Sequence, residues 1–172
     1  DVLWLEAANT DGTEWRVVRK VASIPPTGHV NGQGYTSAQI LPGGTPEILL
    51  SSGEGIWCLL IPTPADSPWP ALHIAPDATE EGVGTGDMDG DGDIDIAAGS
   101  GEKKGDGMAV SWWENPGVPA AAWREHPIGE TVRFADRFEV ADFNGDGRAD
   151  VAVSEERWPE PEGAHVFWFE QA

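Results

Sequence analysis

The sequence is poor in cysteine, in basic residues and in long apolar runs. It has one cysteine, Cys58, among 172 residues, so no disulfide can form within the chain. Ten lysines and arginines stand against 30 aspartates and glutamates, and the formal net charge is −20. Nucleic acids and anionic membrane surfaces attract basic proteins, so we expect neither as a partner. No apolar run reaches the length of a membrane span, so we expect no insertion into a membrane.

Glycine, proline and carboxylates are abundant instead. There are 22 glycines and 14 prolines, and long helical periodicity is absent. Segments such as VAVS (151–154) and HVFWFE (165–170) alternate with the period of a half-buried strand. The sequence therefore predicts an all-β fold of many short strands joined by turns.

Three markers recur in the same order along the chain. The aspartate-rich stretch DMDGDGDIDIAAGS (87–100) returns as DFNGDGRADVAVSE (142–155). The second marker is a tryptophan within an apolar segment. The third marker is another tryptophan, which follows most of these segments after eleven or twelve residues. The period of about 55 residues indicates a repeat protein. The recurring tryptophans of the apolar segments are Trp4, Trp57, Trp112 and Trp168.

Each repeat is predicted to contain four strands. Examples of the first to fourth strand, taken from two repeats, are FEVAD (138–142), ADVAVS (149–154), AVSWWE (109–114) and WREHPI (123–128). Four antiparallel strands per repeat form the blade of a β-propeller. We interpret the four recurring tryptophans as contacts between blades, because a repeated core contact needs a residue at the same place in every repeat.

We expect a single partial propeller domain with about three blades. Its predicted parts are a half blade at 1–34, a degenerate blade without a metal loop at 35–82, a calcium-loop blade at 83–137 and a partial calcium-loop blade at 138–172.

The two aspartate-rich stretches predict calcium-binding loops. Alternate residues of a tight turn point inward, so the oxygens at positions 1, 3 and 5 can converge on one ion, and Gly at position 6 permits the reversal. Position 7 can offer its backbone carbonyl. Calcium tolerates such an irregular, oxygen-only ligand set better than magnesium does. The predicted metal residues at positions 1, 3, 5, 7 and 9 are Asp87, Asp89, Asp91, Asp93 and Asp95 in the first loop, and Asp142, Asn144, Asp146, Arg148 and Asp150 in the second.

An EF-hand begins in the same way but needs an acidic residue at position 12, where this chain has Ala98 and Val153. The closing ligand is therefore predicted to be Asp95 or Asp150. The alternative is an acidic solvated turn without metal, but two copies of one pattern favour metal. The corresponding stretch of the preceding repeat, 39–47, lacks acidic residues at positions 1, 3 and 5. We therefore predict two calcium ions and one metal-free turn.

The two loops and the strand VSWWENPG (110–117) resemble FG-GAP/VCBS-type repeats. These repeats are the calcium-loop blades of integrin α-subunit propellers and of many secreted bacterial and fungal proteins. The resemblance implies loops at one rim of a propeller, with structural metal ions. Family members include adhesion modules, lectins, and propellers within polysaccharide lyases and a sugar dehydratase. The resemblance therefore implies an extracellular or periplasmic module that binds carbohydrate or a protein, or alternatively part of a sugar-active enzyme.

In a blade, the loops that join strands 2–3 and 4–1 share the face opposite the calcium turns. An aromatic side chain beside charged groups on that face suits stacking on a sugar or docking to a protein, although it can also anchor its own loop. No G-x-S-x-G, HExxH or phosphate-binding loop occurs, so the catalytic residues, if any, are unknown. The candidate ligand-binding residues are His29, Tyr35, Arg133, Arg137, Arg157 and Trp158.

Both ends of the chain fall inside a predicted blade. Such ends expose unpaired strand edges, which promote aggregation unless they are covered. We therefore expect a homodimer in which each C-terminal partial blade pairs with the N-terminal strands of its partner in a ring of about six blades. The alternative is that the chain is an excerpt of a longer polypeptide.

Overall fold

The structure, a computed structural model, describes residues 1–26, 34–101, 107–118, 121–156 and 161–172. Within these residues the chain forms thirteen β-strands, one 3-10 turn and no α-helix, which confirms the all-β prediction. None of the described segments is a helix with the length and apolar character that crossing a bilayer requires.

The described strands form four antiparallel sheets, and every strand pairs with its neighbour in sequence. The second and third sheets each contain four strands, as predicted for one repeat. The sheets consist of β1 (Val2–Ala7) and β2 (Trp15–Ala22); β3 (Tyr35–Ala38), β4 (Glu47–Ser52), β5 (Gly55–Leu59) and β6 (Ala71–Ala75); β7 (Ala78–Gly86), β8 (Asp95–Ser100), β9 (Ala109–Glu114) and β10 (Arg124–Glu130); and β11 (Phe134–Ala141), β12 (Asp150–Glu156) and β13 (Val166–Phe169).

One register recurs where the first two strands of each of the last three sheets meet. Gly86 pairs with Asp95 in the third sheet, and Ala141 pairs with Asp150 in the fourth. In the second sheet Ala38 pairs with Glu47. Each acidic residue therefore lies opposite the residue that precedes its own loop, so the start and end of every loop are held together by the strand pair.

The core lies between successive sheets. One cluster joins the second sheet to the third and includes Leu49, Ile56 and Ile96, all of them fully buried. Another joins the third sheet to the fourth and includes Val110 and Val153. Each such side chain contributes about 1.5–3 kcal/mol through removal from water. Cys58 lies in the first of these clusters, as expected for a small core residue.

Glycines allow β7 to approach β11 closely. A Cβ atom on Gly82 would lie 2.4 Å from the carbonyl oxygen of Asp136, and one on Gly86 would lie 2.4 Å from Cγ1 of Val140. Both distances are far below van der Waals contact, so larger side chains would force the strands apart. The first strands of the third and fourth sheets are consequently neighbours.

The recurring tryptophans occupy more varied environments than the sequence predicts. Trp112 packs against the cluster between the third and fourth sheets and stacks on His126 with ring centroids 4.2 Å apart. Trp57 stacks on His73 in the same way. Trp168 is 54% exposed, so the predicted contact between blades is absent there within the described residues.

Candidate metal centre

The first aspartate-rich loop, 87–95, is folded around the carboxylate of Asp87. This carboxylate accepts hydrogen bonds from the backbone N–H groups of Gly90 (2.8 Å) and Gly92 (3.1 Å). Both glycines have left-handed backbone angles, with φ of 80° and 96°, which other residues adopt only with strain. The sequence pattern indicates this need at position 6 alone, whereas the structure shows that position 4 shares it.

The second loop, 142–150, repeats this geometry. Asp142 accepts hydrogen bonds from the N–H groups of Gly145 (2.7 Å) and Gly147 (2.9 Å). These glycines also have positive φ, at 80° and 87°. The shared sequence pattern therefore corresponds to a shared backbone conformation.

Three carboxylates of the first loop converge. Side-chain oxygens of Asp87, Asp89 and Asp95 lie within 4.8 Å of one another. Asp91 lies in the same turn, but its Oδ1 accepts a hydrogen bond from the N–H of Asp93 (2.9 Å), and neither residue belongs to the converging group. Three negatively charged oxygen donors at this separation suit a hard divalent cation.

Asp95 is the buried member of this group, with 1% of its surface exposed. Burial raises the pKa of its carboxyl to about 6, and the nearby charges of Asp89 and Asp91 act in the same direction. Hydrogen bonds from the N–H groups of Asn115 (2.7 Å) and Met88 (2.8 Å) favour the ionised form and oppose this shift. A buried carboxylate with charged neighbours is costly to ionise, so a bound cation would stabilise the ionised state. The residues present therefore fit a metal ion.

The second loop has fewer carboxylates and contains its own cation. Asn144 stands at position 3, and the Arg148 guanidinium donates to Oδ2 of Asp146 at 2.7 Å. The pKa of Asp146 is lowered, first by the hydrogen bond from the backbone N–H of Arg148 and also by the charge of its side chain. From the sequence, only the backbone carbonyl of Arg148 is expected to contact the ion. Its side chain in fact pairs with a predicted ligand, so it competes with any ion for that carboxylate.

The preceding turn, 39–47, is closed by protein groups. The side-chain amide of Gln39 donates to the carbonyl oxygens of Leu41 (2.6 Å) and Gly43 (3.0 Å). Glu47 stands at the position of Asp95 and accepts from the N–H of Ile40 (2.9 Å). These bonds show how the turn is held by its own side chains, while its predicted lack of metal stays a prediction.

The predicted ligand-binding residues are only partly brought together. Tyr35 and Arg137 line one cleft of about 500 Å³ between β3, β7 and β11, together with Glu139. Tyr35 is 71% exposed, and Arg137 donates to Oδ1 of Asp136 at 2.6 Å. Arg133 does not line this cleft. The predicted residues His29, Arg157 and Trp158 lie outside the described part of the chain.

Glu155 connects two loops of the predicted ligand face. Its carboxylate is buried and accepts from the backbone N–H of Arg133 (2.6 Å) and from both the N–H (3.1 Å) and Nδ1 of His165 (2.8 Å). Burial alone would raise the pKa of Glu155, but these hydrogen bonds outweigh it and the pKa is lowered.

Asn115 and Gln171 were not predicted from the sequence. Their backbone N–H groups donate to the closing carboxylates Asp95 and Asp150, at 2.7 and 3.0 Å. A signal for them does exist in the sequence, because each is an amide residue that follows a recurring tryptophan by three positions.

The architecture and the acidic loops define an all-β repeat protein with a candidate metal centre. Residues 87–153 match the family model of the FG-GAP-like repeat. This match begins at Asp87, includes the second loop, and ends in β12. The chain therefore contains an FG-GAP-like repeat region. No curated protein matches the chain.

Proposed function

We propose that this chain is a calcium-stabilised, β-propeller-type binding module. The observation that carries the proposal is the convergence of Asp87 and Asp89 on the buried carboxylate of Asp95. The FG-GAP-like repeat at 87–153 and the four-stranded antiparallel sheets support it. An ion here would screen the repulsion among the carboxylates and hold the turn, so its role is structural.

The proposal includes two calcium ions, one in each loop. The first loop binds more tightly because five of its nine residues are aspartate, whereas the second has three aspartates and an arginine, and affinity rises with ligand charge. Exposed loops of this kind match extracellular calcium modules, which bind at about 10⁻⁴–10⁻³ M. We therefore propose an extracellular or periplasmic location, which secretion assays in the source cell would test.

Isothermal titration calorimetry with calcium, combined with thermal unfolding in metal-depleted buffer, tests the metal proposal. Saturation at about 100 times the dissociation constant should stabilise the fold by about 2.7 kcal/mol per site. Asp89→Ala should remove the heat of one site. Asp66→Ala is the matched control, since Asp66 is exposed and lies outside both loops. A binding curve and a melting temperature that are identical with and without calcium in the unmodified protein would refute the proposal.

The cleft between β3, β7 and β11 is the proposed place for a carbohydrate or protein ligand. An exposed phenol next to a guanidinium and a carboxylate offers both a stacking surface and hydrogen-bonding groups. A glycan array should therefore show binding that Tyr35→Ala abolishes. Trp15→Ala removes another exposed aromatic ring, 62% exposed on β2, and should leave binding intact. Equal loss in both variants would contradict the assignment.

The alternative function is that of a sugar-active enzyme. The observation that supports it is the position of Tyr35 and Arg137 in one cleft. A phenol and a guanidinium are suited to proton transfer and to stabilising a developing negative charge. Lyase action on an acidic polysaccharide would create a carbon–carbon double bond that absorbs in the ultraviolet. Absorbance that rises with the unmodified protein and fails to rise with Tyr35→Phe would favour the enzyme over the binding module.

A further inference from the structure

An amide side chain links the first aspartate-rich loop to the turn before it. The backbone N–H of Asn115 donates to Oδ1 of Asp95 at 2.7 Å, and its side-chain Nδ2 donates to the carbonyl oxygen of Ile40 at 2.8 Å. Ile40 in turn donates its N–H to Glu47 at 2.9 Å. The closing carboxylates of two successive repeats are thus joined through one amide residue and one loop residue.

The same arrangement recurs one repeat later, between the two predicted calcium loops. The backbone N–H of Gln171 donates to Oδ1 of Asp150 at 3.0 Å. Its side-chain Nε2 donates to the carbonyl oxygen of Met88 at 2.9 Å, across 83 residues of sequence. Met88 donates its own N–H to Oδ2 of Asp95 at 2.8 Å. A continuous path therefore runs from Asp150 through Gln171 and Met88 to Asp95.

This path lies in a largely buried environment. Asp150, Asp95 and Met88 are 0%, 1% and 5% exposed, respectively. Hydrogen bonds shielded from water are stronger, and linked bonds depend on one another. Met88 is held at both of its backbone polar groups, so a change in the position of Gln171 is transmitted to the loop of Asp95.

The links made by Asn115 and by Gln171 differ in what each of them joins to the first loop. Asn115 ties the first loop to a turn whose bonds are made by Gln39 and Glu47, which are present with or without an ion. Gln171 ties the first loop to Asp150, a predicted ligand of the second ion. How well ordered the link through Gln171 is therefore depends on whether the second loop holds its ion.

We propose that Gln171 is a positioning residue that couples the two calcium loops, so that an ion in either loop raises the affinity of the other. The inference rests on the proposed calcium binding. An ion that fixes Asp150 orders Gln171 and hence Met88, so less ordering remains for the first loop to undergo. The effect must be reciprocal, and we expect a coupling factor of about 5, at the low end of typical values.

The test measures the first loop while only the second can be filled. In the Asp89→Ala variant, which lacks the side-chain oxygen at position 3, calcium added to the second loop should slow hydrogen exchange of the Met88 backbone amide by about 5-fold, as followed by NMR. The double variant Asp89→Ala/Gln171→Met keeps the side-chain length at position 171 but removes the donor, and calcium should then leave Met88 exchange unchanged. Exchange at Leu49, a core strand residue of the second sheet, is the internal control.

The outcomes separate the inference from the proposed function. If Asp89→Ala binds calcium but Met88 exchange does not respond, the coupling is refuted while calcium binding stands. If neither Asp89→Ala nor the unmodified protein binds calcium, both are overturned. If the double variant fails to fold, the response of Met88 relative to Leu49 in the single variant decides, because general stabilisation would slow both amides equally.

Discussion

The stability of the metal-free protein should fall as pH rises, and calcium should remove that dependence. Burial raises the pKa of Asp95 from 3.8 to about 6, so between these values the folded state holds a proton that the unfolded state has lost. Stability therefore decreases with pH through this interval and stays at the lower value above it. Calcium requires the ionised carboxylate, so in saturating calcium Asp95 is ionised in the folded state as well, and stability no longer falls with pH.

The magnitude follows from the shift in pKa. A gap of about two pH units between the folded and unfolded states corresponds to about 3 kcal/mol over the whole interval. Part of it lies below about pH 5, where the other carboxyls titrate too, so the useful window is about pH 5 to 7. In that window the loss attributable to Asp95 is about 1 kcal/mol.

Urea unfolding at both ends of this window, in metal-depleted buffer and in excess calcium, provides the measurement. Asp95→Asn should remove the slope in metal-depleted buffer together with the part of the calcium stabilisation that comes from the first loop, whereas Asp66→Asn should keep both. Metal-free stability that rises between about pH 5 and 7, or an unchanged slope in Asp95→Asn, would show that Asp95 is not the responsible group.

Three further predictions follow from other contacts. Glu155→Gln should destabilise the fold by about 1–3 kcal/mol in urea unfolding, because the backbone N–H of Arg133 and the ring of His165 lose a charged acceptor. Since the pKa of Glu155 is lowered, its contribution should disappear as pH falls through that pKa, and a neutral effect would contradict this role. Arg148→Ala should raise the calcium affinity of the second loop in calorimetry, because the guanidinium that pairs with Asp146 is removed; a weaker site would contradict it. Light scattering should give twice the mass of the 18.4 kDa chain if β13 pairs with a partner copy, whereas a well-folded monomer would refute the dimer.

The loops were predictable because their geometry is local. All ligand candidates of one loop lie within nine consecutive residues, and the turn is shaped by hydrogen bonds between residues no more than seven apart, as from Gly92 to Asp87 and from Met88 to Asp95. The alternating strands of each repeat pair with their sequence neighbours, so the period of the repeat was sufficient to place them. The second left-handed glycine, at position 4, was missed because the pattern alone does not show which glycine has positive φ.

The contacts between repeats were decided only by the tertiary structure. Asn115 reaches Ile40 across 75 residues and Gln171 reaches Met88 across 83, and no periodicity specifies which carbonyl an amide side chain will find. The raised pKa of Asp95 likewise depends on burial by packed sheets. The sequence by itself determined the all-β repeat and the two acidic loops, because short-range spacing encodes them. The structure alone decided how those loops are joined, since that depends on side chains brought together by the packing of one sheet against the next.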